Sequence, residues 1–171
     1  MGYLNGKTVY LCGSIADSKD DGVGWRDAVT PILSKFGVIV DDPTKKTING
    51  EVGSDKAHFK KLMESGDFER VKKEFFPIVR RDLRSVDKCD FVIFFYDTKA
   101  KLVGSIHELL VAHWQRKPIL MFVPPQEVKD MNPWILTFIK NGCTFTNWYE
   151  MGTYLKDVDN NVFNTSYWSL G

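Results

Sequence analysis

Three stretches of the chain are unbroken in their apolar character. Thr8-Val9-Tyr10-Leu11-Cys12, Phe91-Val92-Ile93-Phe94-Phe95-Tyr96 and Ile119-Leu120-Met121-Phe122-Val123 are short, rich in β-formers and bounded by polar or glycine-bearing segments, the pattern of strands buried on both faces. Val38-Ile39-Val40, closed by Asp41-Asp42-Pro43, and Cys143-Thr144-Phe145-Thr146 supply two weaker runs of the same kind. Between them the period lengthens to that of a helix. One helix runs from about Trp25 to Lys35 and stops at Gly37; a helical stretch from Asp67 must kink or split at Pro77, where a hydrogen bond is lost. Further helices are opened by Gly104-Ser105, by Asn132-Pro133 with proline in the first turn, and by Asn147, the last reaching about Lys156.

Strands alternating with helices predict an α/β fold, a doubly wound, flavodoxin/Rossmann-like domain on a five-stranded parallel sheet. The whole of 1–171 reads as one domain, since 171 residues with 43% hydrophobic content can bury a sizeable core. Residues 44–66 turn polar and Gly-punctuated and read as an insertion between the second and third strands, while the tail 157–171 has no clear period. Its Tyr167-Trp168 suits either a neighbouring subunit or the domain's own surface.

Charge and cysteine content narrow the function classes. A formal net charge of +1 gives no basic field for a nucleic-acid polymer, so a small molecule is the expected ligand. Cys12, Cys89 and Cys143 lie in or beside apolar runs without CxxC spacing, which fits buried thiols in a reducing compartment rather than disulfides or a zinc site. No basic leader with an apolar core opens the chain and no window approaches about 18 apolar residues, so a cytoplasmic protein that does not enter a membrane is expected. His107 and His113 stand six apart, about 240° around a helix, which does not suit a shared metal ion. No metal and no cofactor are expected.

The candidate chemistry gathers where the central strands end. In a βαβ unit ligands collect outside the carboxyl ends of the strands, which puts Gly13-Ser14, Asp97 and Gly104-Ser105-Ile106-His107-Glu108 around one cleft. Glu108 has two readings: Ser105-x-x-Glu108 fits a capping box, and the same carboxylate lies where it can meet a ligand that Gly104 lets close to the backbone. Asp82 falls on the edge of the apolar stripe Val79, Leu83, Val86, so it either serves a function or pairs with Arg80, Arg81 or Arg84. Gly13-Ser14 offers backbone N–H groups to a phosphate or ribose, although neither GxGxxG nor GxxxxGK[ST] is present. Beside it, Asp17 to Gly24 reads as a flexible loop or lid, and Trp25 as a contact for a flat ligand.

Lys7-Thr8-Val9-Tyr10-Leu11-Cys12-Gly13-Ser14, Arg81-Asp82-Leu83 and Gly104-Ser105-Ile106-His107-Glu108 resemble the nucleoside 2-deoxyribosyltransferases and the related nucleoside 5'-monophosphate N-glycosidases. The resemblance follows element order from Lys7 to about Lys156 and is specific at those three places. It implies that Glu108 is the nucleophile, that Asp82 assists at the base, and that Tyr10 holds the glutamate. Substrate contacts are then expected from Gly13, Ser14, Trp25, Asp97, Gly104 and Ser105. It further implies a nucleoside or nucleotide and a nucleobase as partners and a homo-oligomer of at least two subunits. Where members acting on free nucleosides often place an Asp six residues before the nucleophile, this chain has Leu102. A 5'-hydroxyl contact must come from elsewhere, or a phosphate is held by Ser14, Ser105, Lys99 or Lys101. Deoxyribosyl transfer is the leading expectation, with nucleotide hydrolysis and a non-catalytic nucleotide sensor of the same fold as alternatives.

Overall fold

The computed structural model describes residues 2–15, 20–48, 51–52, 56–162 and 167–168. Five parallel strands form one sheet: β1 (Thr8–Gly13), β2 (Ile39–Asp41), β5 (Phe91–Phe95), β6 (Ile119–Phe122) and β7 (Thr144–Phe145), in the order β2-β1-β5-β6-β7. The expected α/β architecture is therefore present. β1 and β5 pair in register from Val9↔Phe91 to Gly13↔Phe95. From β1 the chain crosses to β2 on one side, and from β5 it crosses to β6 on the other. The crevice at this reversal opens beyond Gly13 and Phe95, where doubly wound sheets take their ligands.

Helices α1 (Val23–Ser34), α3 (Phe68–Lys88), α4 (Val103–Trp114) and α6 (Trp148–Asp159) flank the sheet, α1 packing with α6 and α3 with α4. β1, β5 and β6 are buried along nearly their whole length, as strands covered on both faces must be. Asn132 and Asn147 cap the helices that follow them, α5 (Pro133–Leu136) and α6, by accepting from the N–H groups of Trp134 and Glu150 at 2.9 and 2.8 Å.

Three expectations change in detail. α3 is one helix with Pro77 inside it; Lys73 and Pro77 are both exposed, so the carbonyl that loses its donor faces water. The stretch 44–66 holds more structure than its polarity suggests: a 3-10 turn (Pro43–Lys45), a short antiparallel hairpin, β3 (Thr47–Ile48) and β4 (Glu51–Val52), and a helix, α2 (Lys56–Glu64). α2 packs on α3 through Phe59, edge-on to Phe75 at 5.0 Å, and through buried Leu62.

The third change concerns the tail. Tyr167 accepts a hydrogen bond from the Ile119 N–H at 2.8 Å, and Trp168, 5% exposed, packs on Phe91 and donates from its indole to the Tyr154 hydroxyl. These aromatics pack on the domain itself, at the amino ends of the central strands and away from the crevice. No helix among the described residues is long and apolar enough to cross a membrane.

Candidate active site

Residues alternate faces along a strand, so Tyr10 and Cys12 project from the same side of β1. Both reach Glu108. The Tyr10 hydroxyl donates to Glu108 Oε1 at 2.9 Å, and the Cys12 thiol lies 3.1 Å from Oε2 and 3.3 Å from the Ser105 carbonyl, its single hydrogen serving one acceptor at a time. The capping-box reading of Glu108 gives way here. α4 begins at Val103 with Leu102 as its cap residue and no side-chain cap, so Ser105 is already the third helical residue and Glu108 lies in the second turn. Its carboxylate points to β1 instead of back to a helix start.

Burial pushes the Glu108 carboxyl up to about 7, and the negative charge of Asp82 adds to the rise; the donors Cys12 and Tyr10 work against it. Burial, followed by the charge of Glu108, also raises Tyr10 and Cys12 well above their ordinary values. Both therefore keep their protons at any working pH and remain donors. The result is a half-buried carboxylate held by two fixed donors and charged over the upper part of the physiological range.

Asp82 enters from α3. Arg81 Nε donates to its Oδ1 at 2.8 Å, while Oδ2 has no protein hydrogen bond among the described residues. Of the three arginines that could have neutralised it, only Arg81 does. Its charge is felt by both Tyr10 and Glu108, so the two carboxylates and the tyrosine share one locality.

Other expected residues serve as walls or supports. An added Cβ at Gly13 would meet Trp25 Cζ2 at 3.0 Å and Phe95 Cβ at 3.2 Å, so a larger residue there must push those side chains apart. Trp25 is 9% exposed, stacked on Phe95 at 5.0 Å with the Arg26 guanidinium 4.4 Å from its ring centre; it packs under the crevice and offers little face to a ligand. Ser14 and Ser105 are buried at the ends of β1 and of the α4 first turn. Asp97 accepts from the Lys99 N–H at 2.9 Å in a tight turn, and Lys99 lies 3.8 Å from Glu127. Leu102 is buried and apolar. Asp17, Ser18 and Lys19 of the first loop lie outside the described residues.

Two contributors escaped the sequence reading. Cys12 had a signal in its i, i+2 relation to Tyr10. Arg26 had none: it is fully buried in α1, donates to the carbonyls of Gly22, Leu11 and Gly13 at 2.7, 3.1 and 3.0 Å, and sits 3.4 Å from buried Asp42. It ties the end of β1 to the loop that follows. Among the described residues no group of three or more His, Cys, Asp or Glu is arranged to hold a metal ion.

Gly104 gives a direct test of the crevice. A Cβ there would meet nothing within 4 Å, and alanine suits a helix better than glycine by about 0.5–1 kcal/mol. Gly104→Ala is therefore expected to melt no lower than the parent while raising KM, because a ligand held against α4 would meet the added methyl. Unchanged kinetics would place the ligand away from α4.

No protein-family model and no curated protein sequence matches the chain. Among solved structures it is similar to a 2-deoxyribosyltransferase from Bacillus psychrosaccharolyticus, with a TM-score of 0.60 and 16% identity over 86% of this chain and 91% of that one. A conserved protein from Enterococcus faecalis V583 gives a TM-score of 0.55 at 13% identity over 88% and 98% of the two chains. The CMP N-glycosidase BcmB of Clostridium botulinum gives 0.49 at 16% identity over 88% and 98%. At these identities what is shared is the fold, and the five-stranded parallel α/β sheet of this chain has the fold of the solved 2-deoxyribosyltransferase.

Proposed function

We propose that this protein cleaves the N-glycosidic bond of a 2'-deoxynucleoside and passes the deoxyribosyl group to another base, with Glu108 as the nucleophile. The observation that carries the reading is the Glu108 carboxylate, held by Tyr10 at 2.9 Å and Cys12 at 3.1 Å beside Asp82. A carboxylate oxygen of Glu108 forms the bond to C1' as the bond to the base breaks. Asp82 acts in its protonated form: the proton on Oδ2, which has no protein partner among the described residues, passes to the departing base and leaves the carboxylate that Arg81 holds. A second base then returns a proton to Asp82 and attacks C1' from the face the first one left, releasing Glu108. Two inversions give retention. A sugar without a 2'-hydroxyl forms its oxocarbenium-like transition state more readily, so a carboxylate suffices without a metal ion. The similarity to a solved 2-deoxyribosyltransferase supports the same reaction class.

Incubation with each deoxynucleoside and deoxynucleoside 5'-monophosphate, with and without a second base, tests the reading by chromatography of the products. A new nucleoside that appears only with the second base supports transfer. Free base and sugar at the same rate in both arms would make the protein a hydrolase, and binding without products would make it a sensor.

Asp82→Asn should slow release of bases that need protonation by about 10²–10⁴-fold, the usual scale of general acid catalysis, and should affect bases that leave unprotonated less. If the variant loses stability while its rate per folded molecule is unchanged for every base, Asp82 is only the partner of Arg81.

A further inference from the structure

α3 carries a second feature that the proposed chemistry does not use. Arg80, Arg81, Arg84 and Lys88 recur at helical spacing along one face, and Lys46, just before the hairpin, reaches the same place. With Asp41 they line a cavity of about 540 Å³, within the range of small-molecule sites. Five cationic side chains thus face one carboxylate, in a chain whose net charge is only +1.

The protein neutralises few of these charges itself. Lys46 pairs with Asp41 at 2.5 Å and also donates to Ser85 Oγ. Arg81 commits Nε to Asp82, but its Nη1 is buried with no hydrogen-bond partner. Arg80 lies 5.6 Å from the Phe76 ring centre. Among the described residues no carboxylate is within ion-pair distance of Arg80, Arg84 or Lys88. Like charges held this close repel one another, and a buried guanidinium nitrogen without an acceptor is costly. An anion with several oxygens removes both costs, and the planar fork of arginine matches phosphate in particular.

The cavity borders the candidate site without containing Glu108. Lys46 Nζ lies 5.8 Å from the Tyr10 ring centre, while the hydroxyl of that ring is bonded to Glu108; Arg81 lines the cavity and holds Asp82. We propose that this cavity is a binding site for the phosphate of a small phosphomonoester, held by Arg81 and Arg84 with Lys46 and Lys88 supplying further positive charge. The proposal is independent of the role of Glu108, because it concerns binding alone.

Isothermal titration of the full chain in the Glu108→Gln background separates the two, since binding is read without turnover. At physiological salt a deoxynucleoside 5'-monophosphate should bind at least about tenfold more tightly than its nucleoside, and inorganic phosphate should compete with it. Arg84→Gln with Lys88→Gln should abolish that preference, leave nucleoside affinity unchanged and melt no lower than the parent, since it relieves repulsion among the cations. Equal affinities for nucleoside and monophosphate, failure of inorganic phosphate to compete, or a preference that survives the double substitution would each overturn the site.

Discussion

Glu108→Gln should reduce turnover by about 10⁴-fold or more at pH 8, because the amide cannot form the glycosyl ester on which a nucleophilic mechanism depends. The same substitution should not weaken the fold. An unfolded glutamate titrates near 4.5, whereas in the folded protein Glu108 holds its proton to about 7. As pH rises from about 4.5 to 7 the unfolded chain ionises first, so this group lowers stability across that window and keeps it lowered above. Below the window it contributes nothing. The penalty is on the order of 3 kcal/mol at pH 8 by linkage. Thermal unfolding at pH 5 and pH 8 should therefore show the Gln variant gaining on the parent at the higher pH. In the parent, kcat/KM should rise with pH through about 7 as the nucleophile ionises. A Gln variant that melts earlier at pH 8 and keeps its turnover would show that Glu108 is structural.

The second large effect is expected at Arg26. Arg26→Met removes the buried cation 3.4 Å from Asp42 Oδ1, leaving the more exposed Lys45 at 3.5 Å from Oδ2, and it takes the guanidinium donors away from the carbonyls of Leu11, Gly13 and Gly22. Breaking a buried ion pair on one side costs about 3–5 kcal/mol, a large part of the 5–15 kcal/mol that holds typical domains folded. Adding Asp42→Asn should recover part of the loss. The neutral side chain can still accept from the Thr44 N–H and hydroxyl, which bond Oδ1 at 2.9 and 2.7 Å, and no unpaired charge remains. Urea denaturation of the two variants measures both quantities. A loss below about 1 kcal/mol for Arg26→Met would mean that water replaces the pair.

Residues whose surroundings are set by local sequence were legible before the structure was known. The runs at β1, β5 and β6 are too apolar and too rich in β-formers to be anything but central strands, and they fix the crevice. Glu108 stood out by its place after a central strand and Asp82 by its place on the edge of an apolar helical stripe, whereas Tyr10 was indicated by the resemblance to the deoxyribosyltransferases alone. What escaped depends on distant partners. Arg26 on a helix reads as a solvated charge until Asp42 and three carbonyls are placed around it. α2 has only Phe59 and Leu62 as apolar anchors, and their value appears once Phe75 is opposite. The capping box places the helix start three residues too late, at Ser105 instead of Leu102, enough to turn Glu108 from the helix end to β1. Trp168 in a tail without period could not reveal that it packs on Phe91.

Trapping the glycosyl-enzyme tests the central claim most directly. A 2-fluoro-2-deoxyarabinosyl nucleoside slows breakdown of the intermediate, and intact-protein and peptide mass spectrometry then reads the adduct. The account predicts one fluorodeoxyglycosyl group on the peptide containing Glu108, lost when a second base is added and absent from Glu108→Gln. Substrate consumed with no adduct, or an adduct on any other residue, would contradict it.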